Sequence, residues 1–181
     1  MTTEKENIRI SKFLSLVLRH EPETINIQLD ERGWTDIDFL LEKMNEHGFR
    51  INKDILRHVV DTNSKKRFAL SEDGQKIRAS QGHSVDVELG YQPQKPPAIL
   101  YHGTAETSIA SILKTGLEKR SRHHVHLSAE EATAINVGQR YGKPVVLKVH
   151  AEEMVQAGFQ FYLSENGVWL TDHVPVNYIS Q

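Results

Sequence analysis

Three groups of basic residues have the types and spacing best suited to bind a phosphate. Arg19 and His20 end the first predicted helix, Arg67 stands just before a predicted hairpin, and Arg122 opens the string RHHVHLS. A planar guanidinium forms paired, charge-assisted hydrogen bonds with phosphate oxygens, and an imidazole beside it adds a further donor. These residues are the first candidates for a phosphate site.

Each group also has a purely structural explanation. Arg19 and His20 would compensate the dipole at a helix C-terminus, which is worth about 0.3–1 kcal/mol. Lys65 and Lys66, just before Arg67, have the pattern of a solvated face. Arg67 itself adjoins the start of a strand, where a side chain has a fixed direction, so it is the better candidate of that run.

The histidines after Arg122 invite a metal interpretation. On a strand, His124 and His126 would point to one face and His123 to the other. Two histidines on one face are compatible with zinc. No third ligand has an obvious spacing and the chain has no cysteine, so we expect no metal and a packing role for one of these histidines.

Two further segments offer hydrogen-bonding groups. In the string YHGT, predicted at a strand end, Gly103 would let a ligand approach the backbone closely, while His102 and Thr104 suit ribose hydroxyls. After the hairpin, three polar side chains surround a flexible glycine: Gln81, His83 and Ser84.

The composition limits the classes of protein to which this chain can belong. With 181 residues, 38% hydrophobic and 25% charged, the chain fits one large domain or two small ones. A net charge of −2 argues against a broad nucleic-acid coat but is compatible with a focused anion pocket. The absence of cysteine excludes disulfides and thiolate metal sites.

The targeting signals expected of a membrane or secreted protein are absent from the sequence. No apolar run approaches the roughly 18 residues of a membrane span. The first residues, MTTEKENIRISK, carry charges of both signs and no apolar core, so no secretory signal is expected. We therefore expect a cytoplasmic protein, and nothing indicates more than a monomer.

The clearest boundary is the Gly- and Pro-containing stretch 82–100, with its PQKPP run. It predicts an N-terminal lobe over 1–84, a linker over 85–97 and a C-terminal lobe over 98–181. The overall prediction is an α+β fold.

In the first lobe, ISKFLSLVLRH predicts a helix capped by Ser11 and stopped by Pro22. A second helix is predicted to start at Thr35, a third covers NKDILRHVVD, and a hairpin turns at SEDG. Three helices followed by a hairpin are typical of a winged helix.

The second lobe alternates between predicted strands and helices. A strand AILYHG, a helix TSIASILKTG and a strand HVHLS precede a helix predicted to begin at Ser128. Three β-rich runs follow: PVVLKV, FQFYL and GVWLT.

Taken together, these strings resemble the RNA 2′-phosphotransferase family, whose eukaryotic members complete tRNA splicing. The resemblance covers nearly the whole chain, and the order of the segments matches as well. The segments that carry it are LSLVLRH (14–20), KKRFALSEDGQKIRASQGHS (65–84), LYHGT (100–104), SRHHVHLS (121–128), VGQRYGKPVVLKV (137–149) and NGVWLT (166–171).

The resemblance implies a winged-helix N-terminal lobe, a C-terminal lobe of the ADP-ribosyltransferase type, and NAD as a co-substrate without a metal. It implies that the RNA 2′-phosphate attacks NAD and expels nicotinamide, giving an ADP-ribosylated RNA 2′-phosphate intermediate. The ribose 2″-hydroxyl then attacks the phosphorus, which frees a 2′-OH RNA and ADP-ribose 1″,2″-cyclic phosphate. The implied partner is a 2′-phosphorylated, tRNA-like RNA.

The family's residues carry over position by position. Those that engage the substrate phosphate match Arg19, His20, Arg67 and Arg122. The NAD-binding residues match His102, Gly103 and Thr104, while His126 and Val168 match positions where other ADP-ribosyltransferases often carry tyrosine and glutamate. Gln81, His83 and Ser84 are expected to contact the RNA or its phosphate.

Two other functions are compatible with these residues. An enzyme of the same fold would stop after the first step and leave ADP-ribose on phosphorylated RNA or DNA ends. A non-catalytic winged-helix module would bind RNA regardless of a 2′-phosphate and leave NAD untouched. The presence of all four basic residues argues against the module.

Overall fold

The computed structural model describes residues 3–181, which form two compact units. Unit 1 ends at Gly90, and unit 2 runs from Tyr91 to Gln181. Both units combine helices with small antiparallel sheets, so the prediction of an α+β fold is confirmed. The finer boundaries at 84 and 97 stay a prediction.

Unit 1 begins with a helix that starts earlier than predicted. Thr3 caps it through the Glu6 backbone N–H, and the Glu6 side chain accepts from the Thr3 N–H, which closes a capping box. Ser11, predicted as the cap, lies within the helix instead. Asp36, not Thr35, caps the second helix. The helices of unit 1 are α1 (Glu4–Val17), α2 (Ile37–Glu46) and α3 (Lys53–Asp61), with a 3-10 turn at Pro22–Ile25.

A three-stranded antiparallel sheet completes unit 1, with strand order β1-β3-β2. The predicted hairpin forms its larger part, with Phe68 opposite Ala79. Apolar side chains of all three helices and of the hairpin pack into one core that includes Leu14, Leu40 and Leu56. The strands are β1 (Thr35–Asp36), β2 (Phe68–Leu70) and β3 (Lys76–Ala79).

Unit 2 is built on two small three-stranded antiparallel sheets, with strand orders β11-β7-β4 and β6-β9-β8. A bridge between Tyr101 and Ser128 links them. A further strand pair, β5 with β10, lies beside them. The strands are β4 (Leu100–Ala105), β5 (Leu117–Glu118), β6 (Val125–Leu127), β7 (Pro144–Val149), β8 (Tyr162–Leu163), β9 (Trp169–Thr171), β10 (His173–Val174) and β11 (Ile179–Ser180).

Three short helices cover these sheets. Ser128, predicted to start the middle helix, exchanges two backbone hydrogen bonds with Tyr101, and the helix starts three residues later. Only the end of FQFYL is a strand. The helices are α4 (Ile109–Thr115), α5 (Glu131–Gly138) and α6 (Ala151–Gln156), with 3-10 turns at Glu106–Ser108 and Val176–Tyr178.

None of the helices in residues 3–181 is long and apolar enough to cross a lipid bilayer.

Candidate functional site

A polar groove on unit 1 contains two of the predicted phosphate ligands. Its volume is about 840 Å³, and Arg19 and Arg67 both line it. One wall is α1 with the turn that follows it; the other is the end of α3 with the segment leading to β2. The lining residues are Glu4, Asn7, Ile8, Ser11, Lys12, Ser15, Arg19, His58, Val59, Thr62, Asn63, Ser64, Lys65 and Arg67.

The segment after the hairpin holds the backbone of Arg19. The Arg19 carbonyl accepts hydrogen bonds from the backbone N–H groups of Ser84 (2.8 Å) and Val85 (3.3 Å). Because Arg19 lies beyond the last residue of α1, these bonds fix a turn that helical hydrogen bonding alone would leave loose. Its side chain is half-buried.

His20 is held by the same segment. Its ring Nδ1 lies 2.9 Å from the Ser84 hydroxyl oxygen. A bond at Nδ1 fixes the orientation of the ring and leaves Nε2 for another partner. The structure places the Ser84 hydroxyl against the His20 ring; that Ser84 also contacts the substrate stays a prediction.

Arg67 is placed by the strand that it precedes. Its neighbour Phe68 is buried in the core, so alternation along the strand turns Arg67 away from the core. The Arg67 carbonyl accepts from Ser80 N–H at 2.8 Å, and its own N–H donates to the Asn63 side chain at 3.4 Å. The long side chain therefore projects from a fixed backbone into the groove.

The two remaining candidates of unit 1 lie deeper. His83 is only 1% exposed, and its Nε2 lies near the point where a side chain on Gly33 would begin. This position favours a packing role over an RNA contact.

Gln81 is half-buried, and its amide oxygen has no hydrogen-bond partner among residues 3–181. That oxygen is an acceptor left for a bound group.

In unit 2, three of the predicted residues form one hydrogen-bonded series. The Arg122 guanidinium lies 3.3 Å from Nδ1 of His126. The carbonyl of His126 in turn lies 3.1 Å from Nδ1 of His102. His126 of strand β6 thus links the Arg122 guanidinium to the half-buried imidazole of His102 on strand β4.

The hydrogen bond to the His126 carbonyl determines which ring nitrogen of His102 carries the proton. A carbonyl only accepts hydrogen bonds, so Nδ1 of His102 must donate the proton to His126. Burial lowers the pKa of His102, and the nearby charge of Arg120 lowers it further. The ring is therefore neutral at neutral pH, with Nε2 as an acceptor suited to a hydroxyl group.

Gly103 does not lie at a strand end as predicted; it is in the middle of β4, opposite Val146. A Cβ atom there would overlap the Ala134 carbonyl of α5, so the missing side chain makes room for a helix, not for a ligand. Tyr101 uses its N–H and C=O for the bridge to Ser128, away from β7. Because the backbone groups of successive residues point to opposite sides of a strand, the N–H and C=O of Gly103 also point away from β7.

Thr104 lies within β4, whereas Val168 directly precedes β9. Thr104 is buried and shares a face of β4 with His102. His126 lies directly opposite Leu170. The Val168 N–H donates to the Ser164 hydroxyl at 2.9 Å, and the Val168 carbonyl accepts from the Ser164 N–H at 2.9 Å. That His126 and Val168 belong to one site stays a prediction.

His124, predicted to lie on a strand with His126, directly precedes β6, which begins at Val125. That the two histidines share a face stays a prediction. The His124 ring packs against Tyr162 instead, with centroids 5.5 Å apart, and burial lowers its pKa. Within residues 3–181, no group of three or more histidines and carboxylates is arranged to hold a metal.

Two kinds of functional candidate escape the sequence analysis. Arg120 influences His102 from a loop residue with a left-handed backbone (φ 53°). Lys12 and Asn63 line the groove beside the arginines. A signal for Lys12 exists, because it lies on α1 one turn before Ser15 and seven residues before Arg19, but exposed lysines on helices are too common to single out.

Unit by unit, the chain presents a groove with two arginines and a sheet with a neutral, hydrogen-bonding histidine beside a cation. Guanidinium groups are well suited to form charge-assisted hydrogen bonds with phosphate oxygens. The profile of the family described as "RNA 2'-phosphotransferase, Tpt1 / KptA family" matches residues 5–173. The chain belongs to this family.

Individual relatives match over nearly their whole length. A protein of Rhodopirellula baltica is 54% identical over 181 residues, covering 99% of this chain and 98% of its own. Proteins of Flavobacterium johnsoniae and Pseudomonas aeruginosa are each 55% identical, over 176 and 172 residues; they cover 96% and 94% of this chain and 97% and 94% of their own. All three are named "Probable RNA 2'-phosphotransferase".

Proposed function

We propose that this chain is an NAD-dependent RNA 2′-phosphotransferase, with a winged-helix lobe in unit 1 and an ADP-ribosyltransferase-type lobe in unit 2. Its products would be 2′-OH RNA, ADP-ribose 1″,2″-cyclic phosphate and nicotinamide. Family membership supports the reaction class. The observation that carries the assignment of the site is that Arg19 and Arg67, distant in sequence, line one groove.

Unit 1 is proposed to bind the 2′-phosphate. A phosphate monoester is ionised near neutral pH, so it needs to be held in line with the bond that breaks and needs no strong base. Arg19 and Arg67 supply fixed charge, and His20, oriented by Ser84, supplies a further donor. Each hydrogen bond to a charged group is worth roughly 1.5–3 kcal/mol net.

Unit 2 is proposed to bind NAD, which supplies the anomeric carbon that is attacked and the nicotinamide that leaves. The chain's own groups suit the dinucleotide. Nε2 of His102 is an acceptor for a ribose hydroxyl, and the Gly103 backbone offers a donor and an acceptor at a sheet edge. Thr104, His126 and Val168 complete the proposed NAD contacts.

Arg122 is proposed to act on the phosphate while it reacts. Charge builds at phosphorus in the second step, where a guanidinium stabilises the transition state if it binds that state more tightly than the ground state. Its bond to His126 restrains it for this role. Arg122→Ala should lower turnover by about 10- to 150-fold, the equivalent of 1.5–3 kcal/mol. Arg140→Ala, another exposed arginine of unit 2, is the matched control.

The decisive experiment incubates the purified protein with NAD and a 2′-phosphorylated oligonucleotide and analyses the products by mass. The proposed function requires cyclic-phosphate ADP-ribose and dephosphorylated RNA in equal amounts. A stable conjugate of ADP-ribose on the phosphate would show an enzyme that stops after the first step. Tight RNA binding with no loss of NAD would show a non-catalytic module.

Three further parts of the proposal rest on the sequence alone. We infer that the RNA is tRNA-like, that the protein is a monomer and that it is cytoplasmic. The absence of cysteine in a chain of 181 residues is compatible with the last of these.

A further inference from the structure

The groove on unit 1 is too large for one phosphate group. At about 840 Å³ it lies near the upper end of the roughly 300–1,000 Å³ typical of pockets that enclose whole small molecules. It follows α1 from Glu4 to the turn at Arg19. At 1.5 Å per residue this is a path of roughly 20 Å. The part beyond Arg19 and Arg67 has space for attached nucleotides.

The charge of the groove differs from that of the whole chain. Among its lining residues are four lysines and arginines and one carboxylate, Glu4, whereas the chain has 22 basic and 24 acidic residues. Glu4 lies at the far end, at the first turn of α1. The positive residues lie on both walls, with Lys12 and Arg19 on the wall of α1 and its following turn and Lys65 and Arg67 on the segment leading to β2; such a lining suits a polyanion.

Neutral groups between these charges are fixed in place. The Asn63 amide donates to the Ser11 hydroxyl at 3.0 Å, which ties the loop after α3 to α1 across the groove. The Ser15 hydroxyl donates to the Ser11 carbonyl at 2.9 Å. Ile8, which is 50% exposed, offers an apolar surface next to this polar stretch. Ribose hydroxyls and the faces of bases can use both kinds of surface.

We propose that this groove is the track for the RNA strand that flanks the 2′-phosphate, with Lys12 and Lys65 holding phosphodiester groups beyond the nearest nucleotide on either side. The inference rests on the proposed function, because it assigns Arg19 and Arg67 to the 2′-phosphate itself. Such a groove would make the enzyme bind a 2′-phosphate within a long strand more tightly than one on a short fragment. This preference would not depend on the sequence of bases.

The test compares two RNA oligonucleotides with an internal 2′-phosphate, one with a single nucleotide on either side and one longer by several nucleotides. Binding is measured without NAD by fluorescence anisotropy, over a range of salt concentrations. The double variant Lys12→Gln Lys65→Gln is compared with Lys5→Gln Lys114→Gln, which has the same net charge but changes exposed lysines outside the groove.

We expect the wild-type protein to bind the long RNA more tightly than the short one. The groove variant should lose roughly 2- to 30-fold in affinity for the long RNA, and its slope of log affinity against log salt should fall by about 1.4. The control variant should keep the wild-type ratio of the two affinities.

Two results would overturn the inference while the proposed function stands. One is a groove variant that keeps the full preference for the long RNA, in a protein that turns over 2′-phosphorylated RNA normally. The other is an equal loss for both oligonucleotides, which would assign the lysines to the 2′-phosphate. Failure of the wild-type protein to consume NAD with either RNA would instead refute the proposed function.

Discussion

Replacing Gly103 with alanine should destabilise unit 2 more than an ordinary glycine substitution. The added Cβ would lie well inside the 3.0 Å that real Cβ atoms keep from other heavy atoms, and its neighbour is the backbone carbonyl of Ala134. No side chain can rotate away, so β4 or α5 must shift as a whole. Overpacking a well-filled interior typically costs 1–3 kcal/mol, and a backbone clash belongs at the upper end, about 3 kcal/mol.

Thermal unfolding followed by tryptophan fluorescence measures this cost within unit 2. The chain has two tryptophans, Trp34 in unit 1 and Trp169 in unit 2, so a Trp34→Phe background leaves Trp169 as the reporter. For a unit of this size, each kcal/mol shifts the Tm by about 4–8 °C. We therefore expect Gly103→Ala to lower the transition by roughly 12–24 °C.

A matched substitution separates this clash from the general cost of replacing a glycine. Gly158 has a positive φ of 95°, and a Cβ atom added there would meet nothing within 4 Å, so Gly158→Ala adds only backbone strain. That strain is worth about 1–2 kcal/mol. A Tm for Gly103→Ala equal to that of Gly158→Ala, or unchanged from the parent, would refute the packing role of Gly103.

Three further predictions concern the site residues. Ser84→Ala should lower kcat/KM by about 2- to 12-fold, the value of one hydrogen bond of 0.5–1.5 kcal/mol to His20; full activity, with Ser84→Thr as the control, would contradict it. Because burial lowers the pKa of His102, the unfolded chain takes up the proton first as pH falls. The free energy of unfolding should be at its full value above about pH 6.5 and fall below that pH by up to about 1.4 kcal/mol per pH unit. His102→Asn should reduce this dependence when the Tm is measured against pH, and an unchanged dependence would contradict the prediction. Val168→Glu should slow the second step, because a carboxylate would engage the ribose hydroxyl that attacks phosphorus; mass analysis should show conjugate accumulating, and faster release of cyclic phosphate would disprove the idea.

The elements of unit 1 are predictable because local signals and the core agree. Apolar spacing marks its three helices, and the SEDG turn marks its hairpin. The start of α1 is harder to predict, since Thr3 and Glu6 form a capping box before the apolar stripe becomes regular. Ser11 has the right residue type for a cap, but type alone does not separate a cap from an interior position.

Gly103 shows why the chemistry of a site is harder to predict than its location. A glycine that admits a ligand and one that admits a helix both require the absence of a Cβ atom. Only the packing of Ala134 against β4 distinguishes them. The same holds for Ser84, whose hydroxyl would suit a phosphate as well as it suits His20. Such contacts join residues far apart in sequence, and no local pattern encodes them.

The distribution of charge in the two units supports a division of tasks between arginine and histidine. Arginine stays protonated at any physiological pH, which suits a site that must always attract a dianion. His102 is kept neutral by burial and by Arg120, while its bond to the His126 carbonyl fixes which nitrogen is the acceptor. A protonated ring there would lose the acceptor that a ribose hydroxyl needs and would compete with Arg122 for phosphate. In the proposed function, the burial that makes His102 hard to protonate is therefore the property that keeps Nε2 available as an acceptor for a ribose hydroxyl.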